Sequence, residues 1–205
     1  MCIRSFRLES VAAFVRAVID GDSDRASQIH GSLEHDPIVI TRTLDRARAW
    51  LRVQARGSER YGLVASSNAL RLRPVGIFIK SQIDIAVWVL NPKEAVRSSL
   101  ALEEVASEFE VQGLELDWVG VCWDANLRYS TNQWTLHRFS GPKWNQVQNS
   151  DRQMYLHNSY RVLLTRARQG MVILVPYGSD DDQTRKVDYC EGTFKFLKSC
   201  GIAEI

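Results

Sequence analysis

Residues 153–176 read Gln-Met-Tyr-Leu-His-Asn-Ser-Tyr-Arg-Val-Leu-Leu-Thr-Arg-Ala-Arg-Gln-Gly-Met-Val-Ile-Leu-Val-Pro. The stretch predicts a helix from Gln153 to Ala167 that feeds an apolar strand from Gly170 to Pro176. Met171 to Val175 offers no polar face, so such a strand must be covered on both sides, as in parallel sheets flanked by helices. Three more runs have the same character: Pro37-Ile38-Val39-Ile40-Thr41, Tyr61-Gly62-Leu63-Val64-Ala65-Ser66, and Leu116 to Trp123 with Val119 and Val121. Helical periodicity separates them. Val11, Phe14, Val15 and Val18 mark a helix over Glu9–Ile19 that Gly21 stops. Thr43 reads as the N-cap of a helix reaching Arg56, with Leu44, Ala47, Leu51 and Ala55 inward and Gly57 at its end. Asp188 to Ser199 reads as a closing helix. The expectation is one α/β domain over 1–205, built on a mainly parallel sheet with helices on both faces. Segments 77–104 and 124–150 do not declare an element. The second, rich in Trp, Asn, Ser and Gly, is expected to be a long functional loop or hairpin insertion.

Composition sets outer limits. A chain of 205 residues, 45% hydrophobic and 24% charged with a net charge of +2, is globular and excludes disordered, collagen-like and disulfide-scaffold classes. No apolar run approaches the roughly 18–20 residues of a membrane span, and the N-terminus lacks a signal-peptide core. Four cysteines without C-x-x-C spacing read as reduced thiols, so a cytoplasmic protein with no membrane contact is expected. Charge is uneven. Arg42, Arg46, Arg48, Arg52, Arg56, Arg60, Arg71, Arg73 and Lys80 face only Asp45 and Glu59, whereas Glu103, Glu104, Glu108, Glu110, Glu115, Asp117 and Asp124 form an unopposed acidic run. A basic stripe attracts phosphate backbones, although a solvated helix face has the same pattern.

Two stretches carry chemistry. In Ser107-Glu108-Phe109-Glu110-Val111-Gln112-Gly113-Leu114-Glu115-Leu116-Asp117, a glycine that permits close approach lies between an amide and a carboxylate able to accept hydroxyl hydrogen bonds. In the 160–170 segment, Arg161, Arg166 and Arg168 end a helix. Guanidinium forks there suit phosphate, and they also offset a helix dipole without any ligand. In open α/β sheets ligands gather at the C-terminal ends of strands, and the candidate sites fall there or at a helix end.

Together these stretches resemble motifs V and VI of superfamily 1 helicases, written T-x-H-x-x-[KQ]-G-x-E and V-A-[LI]-T-R-A. Met1-Cys2-Ile3-Arg4-Ser5-Phe6-Arg7 is similar in phase to motif III. Gly62-Leu63-Val64-Ala65-Ser66-Ser67, followed by Arg71 and Arg73, sits where motif IV belongs. The closest likeness is to the Schlafen-type DNA/RNA helicase domain of bacterial proteins, over nearly the whole chain and including the Tyr189-to-Ile202 tail.

That resemblance implies a second RecA-like motor lobe of the P-loop NTPase type. It assigns Arg166 as the arginine finger and Arg7 as a second γ-phosphate sensor, with Gln112, Gly113 and Glu115 holding nucleotide. Ser66, Ser67, Arg71 and Arg73 would meet single-stranded DNA or RNA weakly, with Trp134 and Trp144 as stacking platforms. Phe109 departs from the usual motif V His, Ser107 from Thr, and Met1 from the motif III Gln. The chain contains no G-x-x-x-x-G-K-[ST] loop, and no Asp-Glu pair ends a strand before residue 37. It reads as residues 1–8 of a motif III remnant followed by one lobe, a truncated or split helicase that needs a Walker A-bearing first lobe in cis or in trans. ATP and Mg²⁺ would then enter only in a complete motor. A non-catalytic nucleic-acid- or protein-binding module is the alternative. His30, His35, His137 and His157 lack ligand spacing, so no metal site is expected. A carboxylate nuclease built on Glu110, Glu115 and Asp117 lacks a nearby lysine.

Overall fold

Strands that are apolar on both faces need two covers, and the computed structural model supplies them. It describes residues 3–33, 37–79 and 82–205, with side chains from Glu9 onward in the first helix. The strands are β1 (Ile38–Thr41), β2 (Tyr61–Ala65), β3 (Val105–Ser107), β4 (Leu116–Cys122), β5 (Leu127–Ser130), β6 (Gln133–Ser140), β7 (Lys143–Gln146), β8 (Ala167–Leu174) and β9 (Ala203–Glu204). The helices are α1 (Ile3–Asp20), α2 (Ser23–Gly31), α3 (Leu44–Gln54), α4 (Ile85–Leu90), α5 (Ser150–Leu164) and α6 (Asp188–Ser199). Six strands form one sheet in the order β3-β2-β4-β8-β1-β9, and every neighbouring pair runs parallel. This is a RecA-like α/β fold.

Alternation along each strand divides the core. Val119, Val121, Met171 and Ile173 face a cluster with Phe14, Val18, Tyr160, Leu163, Phe194 and Leu197, so α1, α5 and α6 cover that side. Leu63, Cys122, Val172 and Leu174 face the other way, against Ala47 and Leu51 of α3 and Leu72 of a 3-10 turn (Leu70–Val75). The ends of the helices follow their caps. Thr43 accepts from the Arg46 backbone N–H at the head of α3, and Asn149 accepts from that of Arg152 at the head of α5.

Two segments without sequence signals acquire structure. Residues 124–150 hold β5, β6 and β7 as an antiparallel meander, turned at Thr131 and Asn132, both with positive φ. Aromatic contacts seat this meander on the domain: Tyr129 stacks on Phe196 at 3.9 Å and Trp134 on Trp123 at 5.4 Å. Within 77–104, α4 places Trp88 fully inside, its indole N–H donating to the Glu104 carbonyl.

The meander approaches α6 so closely that Gly192 has no room for a side chain. A Cβ there would stand 2.1 Å from the Tyr129 carbonyl oxygen, and backbone cannot step aside cheaply. Gly192→Ala is expected to lower unfolding free energy by about 1–3 kcal/mol in urea titration. Gly31→Ala, with nothing within 4 Å, should leave stability level or raise it by up to about 1 kcal/mol.

Candidate functional site

The junction of α5 and β8 is built around one guanidinium. Thr165 closes the helix, its hydroxyl donating to the Arg161 and Val162 carbonyls. Arg166 then turns back: Nε donates to the Val162 carbonyl at 3.0 Å and Nη2 to the Thr165 hydroxyl at 3.1 Å. Nη1 reaches the carbonyls of Val111 and Leu114, each at 3.4 Å. Those two carbonyls belong to the turn that carries Gln112, Gly113 and Glu115, and Gly113 holds φ +82 at its bend. The Leu116 N–H donates to the Arg166 carbonyl, which fixes the turn to the junction a second time. Arg166 therefore meets the glycine turn directly, while Gln112, Gly113 and Glu115 remain exposed.

The electrostatics are unusual. Among the described residues every hydrogen-bond acceptor around Arg166 is neutral, and Glu115 gives its carboxylate to Arg168 at 3.8 Å. Burial lowers the Arg166 pKa from its ordinary value, with Glu115 acting in the opposite direction. A half-buried positive charge thus stands, among the described residues, without a carboxylate of its own. The side chain of Arg7 lies outside the described residues, as do Met1 and Cys2 at the start of the motif III stretch. Of the two expected positions, a C-terminal strand end or a helix end, Arg166 takes the second, directly after α5. The Arg166 cluster sits where β4 and β8 begin, with Leu116 opposite Ala167, and so on the edge opposite the C-terminal strand ends.

At those C-terminal ends lies a buried polar network that the sequence reading missed. Tyr160 donates its hydroxyl to Asn126 Oδ1 at 2.6 Å and accepts from the Asp124 N–H at 3.2 Å; Asn126 Nδ2 donates to Ser66 Oγ at 3.2 Å. Asp124 is buried and accepts from the Ala125 and Arg71 backbone N–H groups. Burial pushes its carboxyl up to about 6, against those hydrogen bonds. The sequence signal was an acid placed directly after the apolar run ending at Trp123.

Several residues assigned to nucleic acid have partners inside the fold. Ser66 has no exposed surface and spends its hydroxyl on Asn126 and Asn68. Ser67 gives both N–H and hydroxyl to the Glu108 carboxylate. Arg71 pairs with Asp182 at 3.0 Å and lies over the Phe139 ring, leaving Arg73 as the exposed cation of that turn. Trp134 stacks on Trp123 and donates to the Val18 carbonyl, so its ring serves the core. Trp144 donates to the Thr184 carbonyl and carries Arg128 over its ring.

The acidic run is likewise spent inside the fold. Glu108, Glu110 and Asp117 accept backbone N–H groups, Glu103, Glu104 and Glu115 pair with arginines, and Asp124 is buried. Among the described residues no group of three or more His, Cys, Asp or Glu side chains is placed to hold a metal ion. Among the described residues no helix is long and apolar enough to cross a membrane.

A family model described as Schlafen group 3, DNA/RNA helicase domain, matches residues 1–177 and stops short of the tail. No curated protein and no solved structure matches the chain.

Asp124 carries a pH signature. Its folded pKa of about 6 exceeds the ordinary 3.8, so the folded state holds the proton more tightly than the unfolded chain. The resulting stabilisation is complete at low pH and is lost as pH rises through the folded value, on the order of 3 kcal/mol in all. His137 acts in the opposite sense, because burial first and Arg128 second lower it to about 4. Asp124→Asn removes the first effect and leaves the second. Urea unfolding at about pH 4.5 and about pH 7.5 should therefore show the variant gaining on wild type at the higher pH. A difference that stays flat between the two would contradict the cost of ionising Asp124.

Proposed function

Because the chain belongs to the Schlafen group 3 DNA/RNA helicase domain family, we propose that it is the second RecA-like lobe of a helicase or nucleic-acid-dependent ATPase. In this reading the chain contributes the arginine finger and part of the strand-binding surface. The supporting observation is Arg166: a half-buried guanidinium held, among the described residues, by neutral acceptors and braced on the Gln112–Glu115 turn. Phosphoryl transfer spreads negative charge over the transferring group, and a fixed guanidinium lowers the energy of that charge without reorganising. The two bonds at 3.4 Å are the weakest Arg166 makes, so Nη1 is the donor most readily turned toward a phosphate oxygen. Glu115, exposed beside Gly113, is the acceptor for a ribose hydroxyl. Binding of Mg²⁺ and the cradling of the β- and γ-phosphates fall to a first lobe bearing a Walker A loop, since the 205 residues contain none.

A second reading, a non-catalytic nucleic-acid- or protein-binding module on a RecA-like fold, draws on that same missing loop. Enzymology separates the two. The 205-residue chain alone is expected to show no ATP turnover. Turnover by the chain alone that Arg166→Ala abolishes would contradict the division of labour between lobes. Supplied with a first lobe, the motor should turn over ATP on a saturating single strand, and Arg166→Ala should lower kcat roughly a thousand-fold. Arg166→Lys should recover little, because a point charge lacks the fork. Arg168→Ala removes only the exposed pair with Glu115 and should change kcat little. Normal kcat with Ala at 166 would defeat the finger assignment, and a first lobe that never restores turnover would favour the binding module.

A further inference from the structure

Two exposed aromatic rings and two unpaired arginines meet at the C-terminal edge of the sheet, on the side away from Arg166. Phe109 is the second residue after β3. Glu108 on one side of it turns inward to Ser67. Glu110 on the other turns inward to the N–H groups of Ser107, at 2.6 Å, and Ile83, at 2.8 Å. With both neighbours pulled in, Phe109 is forced out, and its side chain is 60% exposed. Tyr155 of α5 is 41% exposed and packs against it, ring centroids 6.0 Å apart at 33°. The Tyr155 hydroxyl donates to Glu108, which holds the ring in place and adds a third donor to that carboxylate.

Tyr155 also borders a groove of about 280 Å³ between α5 and the meander, lined with Asn68, His137, Arg138 and Arg152. Arg42, Arg71 and Arg185 each hold a carboxylate. Arg138 and Arg152 are exposed and, among the described residues, their guanidinium groups have no hydrogen-bond, ion-pair or ring partner. Glu108, the carboxylate that touches Tyr155, is buried and saturated by Ser67 and Tyr155, so it does little to cancel these cations.

Resting on the nucleic-acid reading above, we infer that this edge is a single-strand site in which a base stacks on the Phe109–Tyr155 pair and the flanking phosphates lie on Arg138 and Arg152. The pairing of flat rings with guanidinium groups selects the ligand class. An aromatic face needs an unpaired base to stack on, which a duplex keeps inside, and the cations supply sequence-independent contact to the backbone. Phe109 then replaces the polar contact that a motif V His would make with a stacking one.

The test is fluorescence anisotropy of the 205-residue chain with labelled oligo-dT, oligo-U and an abasic strand of equal length, over a salt series. On whichever homopolymer the wild type binds, Phe109→Ala should weaken affinity roughly tenfold, within the range found for base–aromatic stacking. Affinity for the abasic strand should be unchanged. Phe109→Trp should restore homopolymer binding, which shows that a ring rather than general packing is required. Arg138→Ala with Arg152→Ala should weaken all strands and reduce the salt slope by about 1.4, at about 0.7 per single-strand phosphate. If the wild type binds but Phe109→Ala is indifferent, or the abasic strand binds as well as the homopolymers, the platform is overturned while the nucleic-acid reading stands. If the double arginine variant keeps the full salt slope, the phosphate assignment is overturned. A wild-type chain that binds no strand at low salt would bring down that reading and the groove together.

Discussion

A parallel sheet starts all its strands on one edge and ends them on the other, and the β4–β8 pair at its centre imposes that rule on the rest of this fold. Five consecutive pairings from Trp118–Gly170 to Cys122–Leu174 lock the two strands, and Trp123 continues the link by donating to the Leu174 carbonyl. Because each connection must return across the sheet, helices cover both faces, and each edge collects its own set of loops. The Arg166 junction belongs to the starting edge. The Asp124–Tyr160–Asn126–Ser66 network and the Phe109 groove belong to the finishing edge.

The chain spends charge to hold those loops. Seven acids between residues 103 and 124 look in sequence like a repelling surface, yet each binds an N–H group, pairs with an arginine or is buried. Carboxylates that accept backbone N–H groups fix loop geometry with strong, short bonds, which a flexible salt bridge at the surface does not. The arginines are consumed in a similar way. Arg42 pairs with Glu191 and lies over Phe194, and Arg128 lies over Tyr189 while donating to the Ala125 carbonyl. Those left unpaired are the informative ones.

Elements with a local cause were legible. Strands β1, β2, β4 and β8 announce themselves by having no polar face, and α3 by its cap and periodicity. Strands β3 and β9, with three and two residues, are too short to carry a pattern, and α2 buries only Ala26. The meander reads as loop because β6 has a single fully buried residue, Leu136. The glycine turn and Arg166 were legible as two motifs, and their contact was not. The internal commitments of Ser66, Arg71 and Trp134 could not be read because the partners lie 60, 111 and 116 residues away, beyond any local pattern. Phe109 was visible only as a departure from a motif, with no hint of Tyr155 beside it.

The turn from Glu108 to Glu115 is the connection that joins the Phe109 edge to the Arg166 edge. At one end Glu108 grips Ser67 and Tyr155; at the other the carbonyls of Val111 and Leu114 grip Arg166. Short and pinned at both ends, it behaves as a lever and not as a hinge. If both edges take ligands as proposed, a ligand that draws Arg166 away from those carbonyls would loosen the turn that carries Phe109, and by thermodynamic reciprocity a ligand that stiffens Phe109 would change the affinity at Arg166 by the same factor. Such communication would require no movement of the sheet, only a change in how tightly eight residues are held.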